Sequence, residues 1–443
     1  MSQFVDGQLK DVCRKLKPVI GARADALWLA YATSETPRAR QEAESFIHMM
    51  EIRFLGGRVD GTNILLPPPR AEERAGEFLL GEVHYGMKPI GPLYLTRENL
   101  NKHVGIFSIT GGGKTNIGIN LLFALQEAAI PFMVIDWKRS YQQHAKAIAG
   151  KTGRPVDVYS VGRDTQTPFA WNPLRGPPNV HPQTWLCVVA EVLEKSHLSG
   201  PGVADLLMEF FDREYATAGV YDGEVKQWPN FRDVAAALNR HQFRGRRLLW
   251  RDSCSRILRT FCFGPTEKAF NAREPIALET LMERSVILEL DQELPKPLRV
   301  FFAEIVLRWL HLFRLQQGES SELRHVLLLE EVHNLFPRTY VEGQAANSIE
   351  SVVREIRSFG QGLVFVSQHP SLMPIYVLGN CNTLIFLGLS HEQDIRAAKQ
   401  SLFLPETDVV YLDRLRVGEG LVKIKGRVGT CFVRFPRAPV VEK

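Results

Sequence analysis

VGIFSITGGGKTNIGINLLFALQEAAIPFMVID, residues 104–136, sets the architecture of this 443-residue chain. A short apolar run, VGIFSI, enters a turn of three consecutive glycines. Lys114-Thr115 then opens a stretch, NIGINLLFALQEA, whose apolar residues recur at helical spacing. A second apolar run, PFMVID, follows and ends on Asp136. Strand, helix and strand in this order predict a β-α-β unit, and such units build parallel sheets covered by helices.

Between the first strand and the helix lies Ser108-Ile109-Thr110-Gly111-Gly112-Gly113-Lys114-Thr115. Consecutive glycines let the backbone curl with its N–H groups pointing inward, and the start of the helix adds partial positive charge where phosphates would sit. Lys114 is expected to reach the β- and γ-phosphates of ATP, the Thr115 hydroxyl to bind Mg²⁺, and the backbone N–H of Asn116 to reach the α-phosphate. Thr110, Gly111, Gly112, Gly113, Lys114, Thr115 and Asn116 are therefore the candidate nucleotide-binding residues. The pattern G-x-x-x-x-G-K-[ST] begins with Gly and this chain has Ser108 there, a small residue that can still make the turn. The alternative is a glycine-rich turn that merely precedes Lys-Thr, and the strand-loop-helix context weighs against it.

A phosphate site also needs a carboxylate at the end of a buried strand, for the metal and for the attacking water. HVLLLEEVHNL, residues 325–335, supplies two. Glu330 is expected to hold the Mg²⁺ shell, through water, and Glu331 to orient or deprotonate the attacking water. Two surface acids capping a strand is the other reading, but four apolar residues running straight into Glu-Glu leave both acids at the edge of a core, which is costly without a cation. In a parallel sheet Asp136 and Gln368, at the ends of PFMVID and GLVFVSQ, fall on the same carboxyl edge, where ligands gather. Gln368 is a candidate for the γ-phosphate or the water. For Asp136 a functional and a plain strand-end role are equally open.

Further buried strands are expected at SVILELD (285–291), HVLLLEE (325–331), GLVFVSQ (362–368) and NTLIFLG (382–388). Near the C-terminus GLVKIKGRVGTCFVRF reads as two alternating strands around a glycine turn, an antiparallel edge. Residues 176–275 interrupt the rhythm with helical patterns such as TWLCVVAEVLEK and VADLLMEFFDREYA, as an insertion into the core would. From Leu9 to Leu55 helical spacing prevails, with turn signals at Gly21 and Pro37, and three successive prolines mark a connector within 61–75. The expected organisation is a helical N-terminal module (1–75), a first part of an α/β core (76–175), a mostly helical insertion (176–275) and the second part of the core (276–443).

Hydrophobic residues make up 45% of the chain and charged ones 23%, ordinary globular usage that argues against disorder or a fibrous repeat. No apolar run reaches the ~18 residues that cross a bilayer, and the start MSQFVDGQLKDV lacks a signal-peptide core, so no membrane insertion and a cytoplasmic location are expected. Six scattered cysteines form no C-x-x-C pair, which fits a reducing compartment. The net charge of +5 permits a polyanionic partner without demanding one. Arginines 240, 244, 246, 247, 251, 256 and 259 face a single acid, Asp252. On one helix, Arg240, Arg244, Arg247 and Arg251 would share a face and could track phosphates; a solvated or intersubunit face is as good a reading, and Gly245 weakens the helix.

Three segments, in order, resemble the HerA branch of the HerA/FtsK superfamily of ring-forming ATPases: LGEVHYGMKPIGPLYLTRENLNKHVGIFSITGGGKTN, VLLLEEVHNLFPR and REIRSFGQGLVFVSQHPSLMPIYVLGNCNTLIF. The resemblance covers about 80–175 and 276–440. It implies a RecA-like P-loop ATPase core, a mostly parallel sheet with helices on both faces, that uses ATP and Mg²⁺. It further implies a homohexamer that translocates duplex DNA through its pore, and an arginine reaching into the neighbouring subunit's ATP site. By that resemblance Arg357 is the first choice for the trans-acting finger and Arg354 the second; the alternative is that both are helix residues paired with Glu350 or Glu355. Two departures stand out. Glu330 occupies a position that is Asp in many members, and the N-terminal residues read as helices where the branch usually has a small β-barrel. A replaced N-terminus implies a different partner, such as a nuclease or other effector in DNA repair or phage defence. A protein-secretion or conjugation ATPase, or an ATP-gated scaffold, is the competing expectation.

Overall fold

Eleven strands form one sheet: β1 (Phe78–Tyr85), β2 (Lys88–Leu95), β3 (Val104–Phe107), β4 (Phe132–Asp136), β5 (Val156–Val161), β6 (Ser285–Leu290), β7 (Ser320–Leu329), β8 (Phe359–Ser367), β9 (Thr383–Phe386), β10 (Glu419–Ile424) and β11 (Thr430–Arg434). Their order is β2-β1-β11-β10-β9-β3-β8-β7-β4-β6-β5. The computed structural model describes residues 2–56, 63–165, 167–336, 348–427 and 429–439. Gly61 and Thr62 of the connector and Val428 of the C-terminal hairpin lie outside them.

From β9 across to β5 every pairing is parallel, and from β9 back to β2 every pairing is antiparallel. The inner parallel strands carry long apolar runs because both of their faces are covered. Phe132 and Val134 of β4 lie in one apolar cluster, with the helices Lys114–Glu127 and Gln142–Thr152; Met133 and Ile135 lie in another, with the helices Pro182–His197, Pro201–Thr217 and Lys296–Gln317. Each such side chain, fully buried, stabilises the fold by about 1.5–3 kcal/mol. Gly118 allows the first helix to press on the sheet, since a Cβ there would meet Tyr141 Oη at 2.7 Å.

The C-terminal hairpin is antiparallel as its alternation predicts, but it does not end the sheet. β1 pairs with β11 and β2 lies outside β1, so the antiparallel side is four strands wide. β1, β2 and the opposite edge strand β5 are broken by glycine, proline or half-exposed residues and carry no continuous apolar run.

Three helices, Ser2–Ile20, Arg23–Ala32 and Pro37–Leu55, occupy the N-terminal residues. They share a small apolar cluster with Tyr85 of β1, whose hydroxyl donates to the Lys15 carbonyl at 2.7 Å. The arginine-rich stretch is not one helix. Phe231–Arg240 and Arg246–Phe261 are separate helices, broken around Gly245 at φ 60°, so the four-residue stripe expected from a continuous helix does not exist. Arg247 pairs with Glu209 and Arg251 with Asp252.

Parallel pairing puts the carboxyl ends of β3, β8, β7 and β4 on one edge: Phe107 lies opposite Ser367, Leu329 opposite Phe365 and Ile135 opposite Leu329. The glycine loop, Gln368, the glutamate pair and Asp136 all follow these ends.

Candidate nucleotide site

Each glycine of the turn meets a separate steric demand. Gly111 and Gly113 hold φ values of 79° and 107°, where a side chain is strained. A Cβ on Gly112 would lie 1.9 Å from Ser108 Oγ. Ser108 is buried; its N–H donates to the Ser367 carbonyl at 3.3 Å and its hydroxyl to the Gly388 carbonyl at 3.5 Å. The serine that departs from the glycine pattern thus ties the loop to the ends of the two strands flanking β3.

Lys114 begins the helix Lys114–Glu127, and its ammonium donates to the carbonyls of Ser108 and Ile109, both at 2.8 Å. Burial pushes its pKa down to about 8, Lys138 adds to the effect, and the negative charges of Glu331 and Glu330 act against it. Thr115 follows, half-buried, on the first turn. The Asn116 side chain is engaged away from the loop: its Nδ2 donates to the Pro436 carbonyl at 2.7 Å and its Oδ1 accepts the Ala438 N–H at 2.6 Å. Its backbone N–H is the part left for a phosphate.

Glu331 is the pivot of the site. It is buried and sits at φ 49°, ψ 38°, a left-handed conformation that costs a residue other than glycine about 1–3 kcal/mol. Its Oε1 accepts from Gln368 Nε2 at 2.7 Å and pairs with Lys138 Nζ at 2.5 Å; His333 Nδ1 lies 3.5 Å from Oε2. Burial alone would raise its pKa, but the hydrogen bonds from Lys138 and Gln368 and the Lys138 charge hold it below the usual carboxylate range. Gln368 in turn accepts from the Thr110 hydroxyl at 2.7 Å. A continuous polar chain therefore runs from the glycine loop through Gln368 to Glu331 and Lys138.

Glu330 is engaged with the turn that follows β4. It accepts the Lys138 N–H at 3.1 Å and the Ser140 hydroxyl at 3.4 Å. Burial and the adjoining Asp136 carboxylate push its pKa up to about 8. Asp136 is fully buried and accepts the N–H groups of Lys138 (3.2 Å), Ser140 (3.1 Å) and Tyr141 (2.9 Å), so it shapes the turn after β4 while lying beside Glu330.

Lys138, His333, His369 and Asp394 complete this edge and were not singled out from the sequence. His333 shares a hydrogen bond of 3.1 Å with Ser367 Oγ, and its ring meets His369 edge-on at 5.6 Å; His369 lies 3.3 Å from Asp394. Lys138 could have been found by position, two residues past a strand end on the carboxyl edge. Arg354 and Arg357 are not in this group. They precede β8, whose nine residues carry the chain roughly 30 Å from the amino edge to Gln368. Arg354 pairs with Glu350, whereas among the described residues Arg357 makes no ion pair.

Loop, strand-end acids and sheet order define the class: this is a P-loop ATPase fold. A family model described as "Helicase HerA, central domain" matches residues 80–201, and one described as "Helicase HerA-like C-terminal" matches 286–430. The chain belongs to the HerA-like branch of the HerA/FtsK superfamily. A probable helicase of Methanocaldococcus jannaschii, MJ1565, is 22% identical over 400 residues, which cover 85% of this chain and 71% of that protein. Among solved structures, VirB4 of Thermoanaerobacter pseudethanolicus superposes with a TM-score of 0.63 at 16% identity, covering 82% of this chain and 97% of VirB4. The plasmid coupling protein TrwB, in complex with ADP and Mg²⁺, gives 0.57 at 13% identity, covering 79% of this chain and 89% of TrwB. These likenesses share the RecA-like core, a mostly parallel sheet between helices. No helix among the described residues is long and apolar enough to cross a membrane.

Proposed function

We propose that this chain is one subunit of a homohexameric motor that binds Mg²⁺-ATP at the Thr110–Asn116 loop, hydrolyses it and thereby translocates duplex DNA. The reading rests on one observation above all: the polar chain Thr110–Gln368–Glu331–Lys138 joins the glycine loop to the strand-end acid. Lys114 neutralises the β- and γ-phosphates, Glu331, held ionised, takes the proton of the attacking water, and Gln368 senses the γ-phosphate between them. The residues fit a magnesium ion, because Glu330 and Asp136 lie together with a carboxyl pushed up to about 8, a crowding of charge that a divalent cation beside them would relieve. Thr115 directly and Glu330 through water would hold it. When bound, the ion would neutralise charge on the phosphates.

Lys138 supplies the counter-charge that keeps Glu331 ionised. Lys138→Met is expected to lower kcat about tenfold while changing the KM for ATP less than threefold, and to move the acidic limb of the kcat profile to higher pH, consistent with one lost charge partner. An unshifted profile would remove Lys138 from this role.

Arg357 cannot serve its own site from the far edge of the sheet. In a head-to-tail ring the amino edge of one subunit can meet the carboxyl edge of the next, where the arginine would stabilise the transferring phosphoryl group. Among the described residues Arg354 is ion-paired and Arg357 is not, which ranks Arg357 ahead of Arg354. Duplex DNA as the load is supported by the family's helicase members. The three N-terminal helices, with Phe46, Met49 and Ile52 exposed, offer a docking surface for a nuclease or other effector in DNA processing or phage defence. ATPase activity titrated with duplex DNA tests the load: several-fold stimulation that weakens steeply with salt is expected, and none at any salt would favour a scaffold or a protein-moving ATPase.

A further inference from the structure

The turn that leads into β3 is held in an unusual way. His103 is completely buried at φ 68°, a backbone conformation rare for a residue other than glycine. Its Nδ1 accepts the Leu363 N–H of β8 at 3.2 Å, so the ring's other nitrogen carries the hydrogen. That Nε2–H donates to the Val353 carbonyl at 2.8 Å. Val353 lies in the last turn of the helix Ser348–Glu355, where carbonyls have no partner within the helix. Two residues earlier, Asn101 Nδ2 donates to the carbonyl of Arg357 itself at 3.0 Å. The backbone of His103 is fastened as well: its carbonyl accepts the N–H groups of Asn382 (3.0 Å) and Thr383 (3.3 Å) at the start of β9.

β3, a strand of four residues about 13 Å long, therefore has the phosphate loop on one end, and the turn at its other end is bonded to the Arg357 segment. Bonds from both sides of the Arg357 turn converge on one buried turn that is itself fastened to β8 and β9. We infer that His103 and Asn101 are positioning residues that link a subunit's own phosphate loop to the arginine it presents to its neighbour, so that nucleotide state in one site sets the reach of the finger into the next. The inference rests on the reading of Arg357 as a finger acting in trans and adds how that finger is controlled.

The test isolates the bond to the arginine helix. His103→Asn keeps the left-handed backbone, which asparagine tolerates, and keeps an acceptor near the Nδ1 position, but removes the donor to Val353. Expected is a tenfold or greater fall in kcat with ATP affinity changed less than twofold. Mixed with Glu331→Gln subunits, which bind ATP, do not turn it over and retain an intact Arg357, His103→Asn subunits should regain turnover at interfaces where the neighbour supplies the finger, as Arg357→Ala subunits should in a parallel mixture. If Arg357→Ala is rescued and His103→Asn is not, His103 acts only within its own site and the inference is wrong. If neither is rescued, the trans finger falls, and this link with it. Should His103→Asn melt early or lose ATP binding, Asn101→Ala, which deletes only the bond to the Arg357 carbonyl, carries the same test with the same expected rescue.

Discussion

Glu331→Gln is expected to bind ATP with near-normal affinity and to turn it over about 10²–10⁴-fold more slowly, the span that a positioned general base contributes. Glutamine matches the shape of glutamate and still offers an oxygen to Gln368 Nε2, so the bridge from Thr110 through Gln368 survives. What disappears is the negative charge that accepts a proton from water and that pairs with Lys138. Single-turnover phosphate release measured beside nucleotide affinity separates the two effects. Unimpaired release would remove Glu331 as the water-activating residue and leave it a strained strand terminus paired with a lysine.

Lys114→Ala is expected to abolish measurable turnover and to weaken ATP binding by about 100-fold or more, in keeping with loss of a charge-assisted contact to phosphate. The fold should tolerate the change, because among the described residues the ammonium's hydrogen bonds go to the Ser108 and Ile109 carbonyls of the loop it belongs to. A melting temperature close to that of the parent, with nucleotide affinity lost, is the expected pair of results; retained affinity would detach the loop from the phosphates. The depressed pKa makes a second prediction. Free Lys114 loses its proton near pH 8, whereas phosphate beside it favours the ammonium. ATP binding then takes up a proton, and affinity should fall as pH rises above about 8, by up to tenfold per unit, whereas Lys114→Arg should flatten that dependence because guanidinium stays charged.

Much of the site was legible in order along the chain. Strand, glycine turn and helix are local patterns, and so is an apolar run that ends in two acids; each needs only residues adjacent in sequence, so 104–136 and 325–331 identify their elements unaided. The strand-end argument also put Gln368 and Asp136 on the edge that carries the glycine loop, as the structure does, because parallel strands share one. Sequence left the arginine-rich stretch open between a shared helical face and a solvated one, and Gly245 decides it: the backbone turns there and breaks a spacing that a continuous helix would have aligned.

What the sequence by itself determined is the set of groups available to this protein: a triple-glycine turn, a lysine and threonine after it, and carboxylates at a buried strand end. Only the tertiary structure decided which distant groups share that edge. Lys138 reaches Glu331 because β4 lies beside β7, β1 and β2 rather than the C-terminal hairpin close the antiparallel side, and Arg357 ends up at the far edge with its turn bonded to Asn101 and His103. Local spacing is set by dihedral preferences within a few residues, whereas strand order follows from how whole apolar faces are buried, and no short window of sequence contains that choice.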